Sequence, residues 1–222
     1  MAIRPIFLPT KDSVETKEVN FRWFSGFSKS QKIKSIYSLH ASAKEELGLN
    51  SVLEISTKSE SSLGRSLSAF NLPVEISGIT GTVESIYQGS KKFDRGGPFN
   101  DLYSASSLEA KKDLRLKSSG DLVSFQLVDK EWPLSPLKGF YSWIYINGLK
   151  QKENLNSELL EYAGFTDIEF NPKKSINCQA FCVAAYVVLI KNQRFEEVMS
   201  DKDLFLEELL KIDKSDGMNE LF

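Results

Sequence analysis

Alternating apolar and polar positions mark short strands along the chain. Such alternation is typical of a half-buried strand, whose successive side chains point to opposite faces of a sheet. Pro5 lies in the first of these segments, and because proline donates no hydrogen bond, it predicts an edge position for that strand. The predicted strands cover residues 2–9, 18–24, 51–57, 74–77, 122–128 and 165–172.

Apolar residues at helical spacing predict helices between the strands. The predicted helices cover residues 30–47, 104–117, 155–163, 176–191 and 195–212. The aromatic-rich segment 140–149 fits either a helix or a strand, and the polar, serine-rich interval 58–65 predicts a loop. Because the predicted helices cover more of the chain than the several short strands, we predict a compact, mostly helical α+β fold.

The segment 82–92 is predicted to form a helix with two distinct sides. Glu84, Gln88 and Lys91 lie at i, i+4 and i+7, so in a helix they share one face. Thr82 is suited to cap the N-terminus of this helix. The neighbouring stripe is apolar and consists of Val83, Ile86 and Tyr87. The same spacing also fits a solvated charged face.

Composition and charge narrow the class of protein. The chain has 222 residues, of which 41% are hydrophobic, and it has no apolar run near the roughly 20 residues of a membrane span. The absence of a signal-peptide core predicts a cytoplasmic protein without a membrane partner. Residues 194–222 carry a net charge of −5, and the rest carry +3. A net charge of +3 is too small for a protein that binds nucleic acid mainly through its phosphates, but it permits recognition of a single modified nucleotide.

The cysteine and histidine counts bear on metal and nucleophilic chemistry. Cys178 and Cys182 lie four apart in an apolar run, which favours buried, reduced thiols. His40 is the single histidine, so a Ser-His-Asp mechanism or a histidine-rich metal site is not expected. We therefore predict neither a metal nor a cofactor.

Three short motifs together carry a resemblance to a known family. They are Leu67–Phe70, Thr82–Glu84 and Gln88–Lys91. Their order and spacing resemble the NADAR (YbiA-like) family, whose members show Ser-Asn-Phe, then Thr/Ser-x-Glu-His, then Gln-x-x-Lys. Ala69 stands in place of the usual Asn and Ser85 in place of the usual His, so this chain resembles a divergent branch.

Further segments are similar to one branch of that family, the NADAR antitoxins encoded beside DarT-type DNA ADP-ribosyltransferase toxins. The similarity extends over about residues 3–190. The segments that carry it are 4–7, 21–27, 67–72, 96–102, 141–143 and 165–180.

The resemblance implies a fold and an activity. The fold implied is a NADAR-like catalytic domain over residues 51–193, with an N-terminal extension over 1–50 packed on it and an acidic helix and tail over 194–222. The activity implied is that of an N-glycosidase that removes ADP-ribose from a modified guanine without a metal. ADP-ribosylated DNA is then the substrate, and a DarT-type toxin is a second partner. Two alternatives remain open: a non-catalytic antitoxin that binds the toxin directly, and a housekeeping N-glycosidase acting on a riboflavin-pathway intermediate.

Three residues are candidates for the chemistry. Lys91 is the predicted nucleophile, because a lysine in a partly dry pocket loses its proton more readily and can form a Schiff base. Glu84 is the predicted acid/base or orienting group, and Gln88 between them would bind a ribose hydroxyl. Asp167, in the predicted strand 165–172, is a candidate for proton transfer or ribose binding, with a purely structural role as the alternative.

Further residues are candidates for binding the substrate. Asn177 fits either a helix cap or a phosphate contact. The aromatic side chains fit either the core or a stack on a base, and they are Trp132, Tyr141 and Trp143. Three residues are assigned to the pocket by the family motif alone, namely Ser68, Gly97 and Asp101.

Overall fold

The computed structural model describes residues 1–26, 28–152, 155–173 and 175–214 and confirms the α+β class. In chain order the elements are β1 (Ala2–Pro9), β2 (Val14–Phe21), α1 (Lys29–Leu47), β3 (Val52–Glu54), α2 (Ser62–Ser66), β4 (Pro73–Ile76), β5 (Ile79–Thr82), α3 (Val83–Gly89), β6 (Lys91–Phe93), a 3-10 helix (Asn100–Ser104), α4 (Ser107–Lys112), α5 (Arg115–Ser118), β7 (Leu122–Leu127), β8 (Lys130–Trp132), α6 (Gly139–Lys150), α7 (Leu155–Leu160), β9 (Gly164–Thr166), α8 (Gln179–Lys191), α9 (Phe195–Ser200) and α10 (Lys202–Ile212). No helix in the described part of the chain is long and apolar enough to cross a membrane.

The chain divides into two compact units. The first consists of Met1–Arg65 with Asn154–Phe222, and the second of Ser66–Glu153. The N-terminal segment 1–50 supplies β1, β2 and α1 to the first unit. Of the predicted acidic segment 194–222, residues 215–222 lie outside the described residues.

A four-stranded sheet in the order β2-β1-β9-β3 forms part of the first unit. Strand β1 pairs with β2 over its whole length, and with β9 at Phe7 opposite Phe165. The predicted edge position of β1 is therefore wrong. Pro5 is tolerated because β9 spans only Gly164–Thr166 and pairs with β1 at Phe7 rather than at Pro5.

The two long helices of the first unit agree with the apolar pattern. Helix α1 begins after Ser28, whose hydroxyl accepts from the Gln31 N–H, and ends at Gly48 in the left-handed conformation. Its buried face forms one hydrophobic core with residues of β1 and β2 and with Ile168. The members of this core are Ile6, Val19, Phe21, Ile36, Leu39, Ala43 and Ile168. Helix α8 is buried from Ala180 to Leu189. The prediction of buried, reduced cysteines is confirmed, since Cys178 and Cys182 are both free and buried.

The second unit contains the hairpin β4-β5 and the three-stranded sheet β6-β7-β8. The segment 140–149, for which both a helix and a strand were considered, is helical and lies within α6. Nine of the twelve residues of α6 are buried. The predicted helix 104–117 is broken into α4 and α5. Asp113 ends α4, because its backbone is extended in ψ (129°) and its side chain binds Arg115.

Two other boundaries differ from the prediction. The predicted loop 58–65 contains the start of helix α2. The predicted helix 195–212 is two helices, α9 and α10. Asp201 between them has an extended backbone and accepts hydrogen bonds from the N–H groups of Asp203 and Leu204, so it caps α10 and interrupts the longer helix.

Candidate active site

Helix α3 has a firmly held N-terminus. Thr82 caps it as predicted, in a capping box in which Ser85 N–H donates to the Thr82 hydroxyl and Thr82 N–H donates to the Ser85 hydroxyl. Ser85 thus has a structural role at the position where the family resemblance expects histidine. Val83 and Ile86 are fully buried, as the predicted apolar stripe requires. The helix therefore holds Glu84 in its first turn, where the helix dipole favours a negative charge.

The Leu67–Phe70 motif supports this helix through its backbone. The Glu84 N–H donates to the Ala69 carbonyl at 3.0 Å. Ser68 is 1% exposed, and its carbonyl closes a tight turn by accepting from the Asn71 and Leu72 N–H groups. The motif therefore fixes the position of Glu84, and the role of Ser68 in binding substrate stays a prediction.

The prediction of one helix face for Glu84, Gln88 and Lys91 is wrong for Lys91. Helix α3 ends at Gly89, and Lys91 begins strand β6, opposite Phe125 of β7. The helix stops because Ser90 turns its carbonyl to the Gln126 N–H at 2.8 Å, which starts the sheet instead of another helical turn.

Glu84 is 5% exposed and has two polar partners at the same oxygen. Gln88 Nε2 donates to Glu84 Oε1 at 2.9 Å, as the predicted i, i+4 relation allows. Lys111 Nζ of helix α4 lies 3.5 Å from the same oxygen. The carboxylate is therefore buried, partly compensated and oriented.

Lys91 is a half-buried amine in the same cluster. Its Nζ lies 5.0 Å from the centroid of the Tyr87 ring, within the range of a cation–π contact. Burial lowers the pKa of Lys91; attraction to Glu84 opposes this shift, and repulsion from Lys111 adds to it. A lysine in this environment carries more neutral amine at a given pH than a solvated lysine does.

Gln88 supplies an acceptor that the described residues leave unsatisfied. Its Nε2 is bound to Glu84, but its Oε1 is buried and has no hydrogen-bond partner in the described part of the chain. A buried acceptor without a donor is costly, so such atoms commonly mark a place where a water or ligand donates. This atom fits the predicted contact with a hydroxyl group.

Lys111 is a member of the cluster that the sequence did not indicate. It lies 27 residues after Glu84, in a six-residue helix rich in charge, where a solvated lysine is the ordinary interpretation. Its Nζ also lies 4.9 Å from the centroid of the Phe70 ring. Only the packing of α4 against α3 brings it to Glu84.

Gly97 shapes the strand that carries Lys91. It has φ of +78°, is followed by a cis bond to Pro98, and a Cβ at this position would lie 2.2 Å from the Lys91 carbonyl oxygen. Its observed role is close backbone packing, and the predicted ligand contact remains a prediction.

Replacing Gly97 with alanine is expected to destabilise the protein by roughly 3 kcal/mol, from left-handed strain and displacement of the Lys91 backbone. The matched control is Gly48→Ala, because Gly48 also has positive φ (69°) but open space around its Cβ direction. The control should lose only about 1–2 kcal/mol. Urea unfolding of the three proteins measures the difference, and equal losses at the two glycines would contradict the packing argument.

Asp101 is an exposed residue bound to an arginine. Arg115 Nη2 lies 2.7 Å from Asp101 Oδ2, and the guanidinium stacks 4.6 Å from the centroid of the Phe99 ring. The hydrogen bonds from Arg115 lower the pKa of Asp101. Asp101 thus organises the loop that follows Gly97, and its predicted contact with substrate is not tested.

The three aromatic candidates belong to one packed cluster with Phe140. Trp132 is 2% exposed, with its ring centroid 5.4 Å from that of Phe140 and 5.2 Å from that of Trp143. Tyr141 is 7% exposed and meets Tyr87 edge to face. Trp143 is half-buried, which leaves it the most accessible of the three for stacking.

Asp167 belongs to the first unit. The prediction that it lies in a strand is wrong, since β9 ends at Thr166. Its Oδ1 accepts from the N–H groups of Glu169 and Phe170, at 3.0 and 3.2 Å, and so turns the chain away from the sheet. Burial, and then repulsion from Glu54, raises its pKa to about 8. The carboxyl group is therefore largely protonated near neutral pH.

Glu54 clamps the two residues that flank Asp167. Its Oε1 accepts from the Ile168 N–H at 2.9 Å, and its Oε2 accepts from the Thr166 hydroxyl at 2.7 Å. Burial raises the pKa of Glu54 as well. His40 Nε2 lies 2.9 Å from the same hydroxyl, and burial lowers the pKa of His40 to about 4.

The raised pKa of Asp167 predicts that stability falls as pH rises. Between its unfolded pKa of about 3.9 and the folded value of about 8, the folded state binds more protons, so unfolding becomes easier with increasing pH. Asp167→Asn should flatten this decline by about 1 kcal/mol per pH unit between pH 6.5 and 8. Urea unfolding across that range measures the slope of stability against pH. The pKa of His40 is about 4, so His40 does not titrate in this range.

The control for this titration is Glu161→Gln, which changes an exposed carboxylate of the same unit. It should leave the slope of stability against pH as in the parent protein. If Asp167→Asn also leaves the slope unchanged, the assignment of the pH dependence to Asp167 is wrong.

Asn177 is not the cap of the buried helix, so that interpretation is wrong. Helix α8 begins at Gln179, and Cys178 occupies the cap position with an extended backbone and without a side-chain hydrogen bond to the helix. Asn177 precedes the cap by one residue, and its predicted phosphate contact stays a prediction.

A family model described as "DarT1-associated NADAR antitoxin" matches residues 2–218 of the chain. The chain belongs to this family. The predicted resemblance is thus confirmed, and the family description establishes an antitoxin role. No curated protein matches the sequence.

In this NADAR antitoxin, the motif residues Glu84 and Gln88 share helix α3, and Lys91 follows it on β6. Within the described ranges, no group of three or more His, Cys, Asp and Glu side chains is placed to hold a metal ion.

Proposed function

We propose that this NADAR antitoxin hydrolyses the N-glycosidic bond between ADP-ribose and a guanine base in DNA. The observation that carries the proposal is a half-buried lysine, Lys91, whose pKa is lowered by burial and which is attracted electrostatically to the buried Glu84. The association of the family with DarT1 supports an ADP-ribosylated substrate. The buried, unsatisfied Gln88 Oε1 supports a ligand that carries hydroxyl groups.

Lys91 acts as the nucleophile in this proposal. The lone pair of its neutral amine forms a bond to C1′ of the linked ribose, and the bond from C1′ to the guanine nitrogen breaks with its electron pair. The guanine nitrogen takes up a proton, which balances the proton that the Lys91 amine releases. The ribose ring then opens to a Schiff base on Lys91, and water adds to the imine carbon to release ADP-ribose and restore the amine.

Glu84 stabilises the charge that develops on the sugar. Departure of the base leaves C1′ electron-poor, and a carboxylate held beside it lowers the energy of that state. Gln88 keeps the carboxylate oriented through the 2.9 Å hydrogen bond to Oε1. The same carboxylate can accept the proton that Lys91 loses on forming the new bond.

Gln88 Oε1 is proposed to accept a hydrogen bond from a ribose hydroxyl. Its Nε2 is already bound to Glu84, so the amide presents the carbonyl oxygen to a donor.

The deciding experiment incubates the purified protein with single-stranded DNA that carries an ADP-ribosylated guanine. Mass spectrometry follows the loss of the adduct and the appearance of free ADP-ribose and unmodified DNA. We expect complete release at catalytic amounts of protein. Absence of release, together with protection of cells from the toxin, would overturn the proposal in favour of an antitoxin that acts by contact, for which the acidic helices α9 and α10 are the candidate surface.

A further inference from the structure

Lys111 contacts the Glu84 carboxylate, and Lys91 is close enough to be attracted to it. Lys111 Nζ lies 3.5 Å from Glu84 Oε1. Gln88 donates to the same oxygen. One negative charge cannot fully compensate two positive charges, so each lysine weakens the attraction that Glu84 exerts on the other.

The two lysines differ in their exposure to water. The Lys111 side chain is 54% exposed, so water hydrates its ammonium. Lys91 is half-buried beside the Tyr87 ring, and burial there disfavours its charged form. Burial therefore acts against the charge of Lys91, while the Lys111 ammonium faces water.

The elements packed against this cluster carry several other titratable groups. Asp101 of the 3-10 helix is held by Arg115, and Glu109 of α4 accepts from the Ser106 hydroxyl. Burial raises the pKa of Tyr103, so its phenol is neutral near pH 7. Helix α6 carries Tyr141, Tyr145 and the exposed Lys150, α4 carries the exposed Lys112, and β6 carries Lys92, which is paired with Glu131.

We propose that Lys111 is a positioning residue that competes with Lys91 for Glu84 and thereby keeps the Lys91 amine neutral and nucleophilic. The proposal rests on the role given to Lys91 under the proposed function. Because Lys111 is exposed, held by the carboxylate and stacked on Phe70, it can do this without touching the reacting carbon.

The test is the titration of Lys91 itself, followed by NMR of protein labelled with carbon-13 at the lysine Cε. The Lys91 signal is assigned by its absence in Lys91→Arg. In Lys111→Gln we expect the Lys91 midpoint to move to higher pH. A shift of one full pH unit would leave about tenfold less neutral amine at a given lower pH. The pH profile of ADP-ribose release should move by the same amount.

Two further variants separate charge from structure. Lys111→Arg keeps the positive charge and should keep the midpoint near that of the parent protein. Lys112→Gln removes a neighbouring exposed charge and should leave the midpoint unchanged. A Lys91 midpoint that stays in place or falls in Lys111→Gln would overturn the inference. If the parent protein releases no ADP-ribose, the proposed function fails, while the titration still decides the role of Lys111.

Discussion

Lys91→Ala is expected to reduce the release of ADP-ribose from modified DNA on the order of 10³-fold or more, because it removes the attacking amine. The protein should stay folded, since the Lys91 side chain is half-buried and its backbone pairing in β6 does not depend on it. Single-turnover release, followed by mass spectrometry of the DNA, measures the loss.

The adjacent lysine is the matched control for this substitution. Lys92 lies on the same strand but pairs with the exposed Glu131 at 3.2 Å, so Lys92→Ala should release ADP-ribose at nearly the rate of the parent protein. Borohydride added during turnover should trap ADP-ribose on Lys91 and leave Lys91→Ala unlabelled. Full activity in a folded Lys91→Ala protein would remove Lys91 from the mechanism.

Glu84→Gln is expected to slow release by about 10²-fold or more, because an amide cannot supply the negative charge that stabilises the electron-poor sugar. The substitution keeps the size of the side chain and an oxygen that can accept from Gln88. It also removes the attraction that holds a proton on Lys91, so the pKa of Lys91 should fall further. A lower rate would therefore report the loss of charge stabilisation and of the proton acceptor, and not a protonated nucleophile.

An exposed carboxylate of the same unit provides the comparison for Glu84. Glu131 pairs with Lys92, and Glu131→Gln should leave release unchanged. The pH profile gives a second readout: in Glu84→Gln it should move to lower pH while the maximal rate falls. An unchanged maximal rate in Glu84→Gln would show that its charge has no part in the slow step.

Backbone contacts hold Glu84 and Lys91 in fixed positions, and the large effects expected at these two residues depend on that. The Ala69 carbonyl and the Thr82 cap hold the start of α3, and Gly97 packs on the Lys91 carbonyl. None of these contacts involves a charged side chain. Groups that act on a reacting carbon must be held in place before the substrate arrives, and these contacts supply that rigidity.

The sequence pattern alone predicted those features that depend only on residues a few positions apart. The Gly48 end of α1, the Thr82 cap of α3 and the buried course of α8 all follow from neighbouring side chains and apolar spacing. The i, i+4 contact between Glu84 and Gln88 follows in the same way. Such features need only helical geometry and capping, which act over one or two turns.

Tertiary structure alone decided how the remaining groups meet. Lys91 leaves the helix because Ser90 and the residues after it pair with β7, which is more than thirty positions further along the chain. Lys111 reaches Glu84 through the packing of α4. Asp167 is repelled by Glu54, which lies more than a hundred positions earlier in the chain. Charge compensation and burial depend on distance in space, so the pattern along the chain identified the chemical groups, whereas packing determined their partners and their protonation.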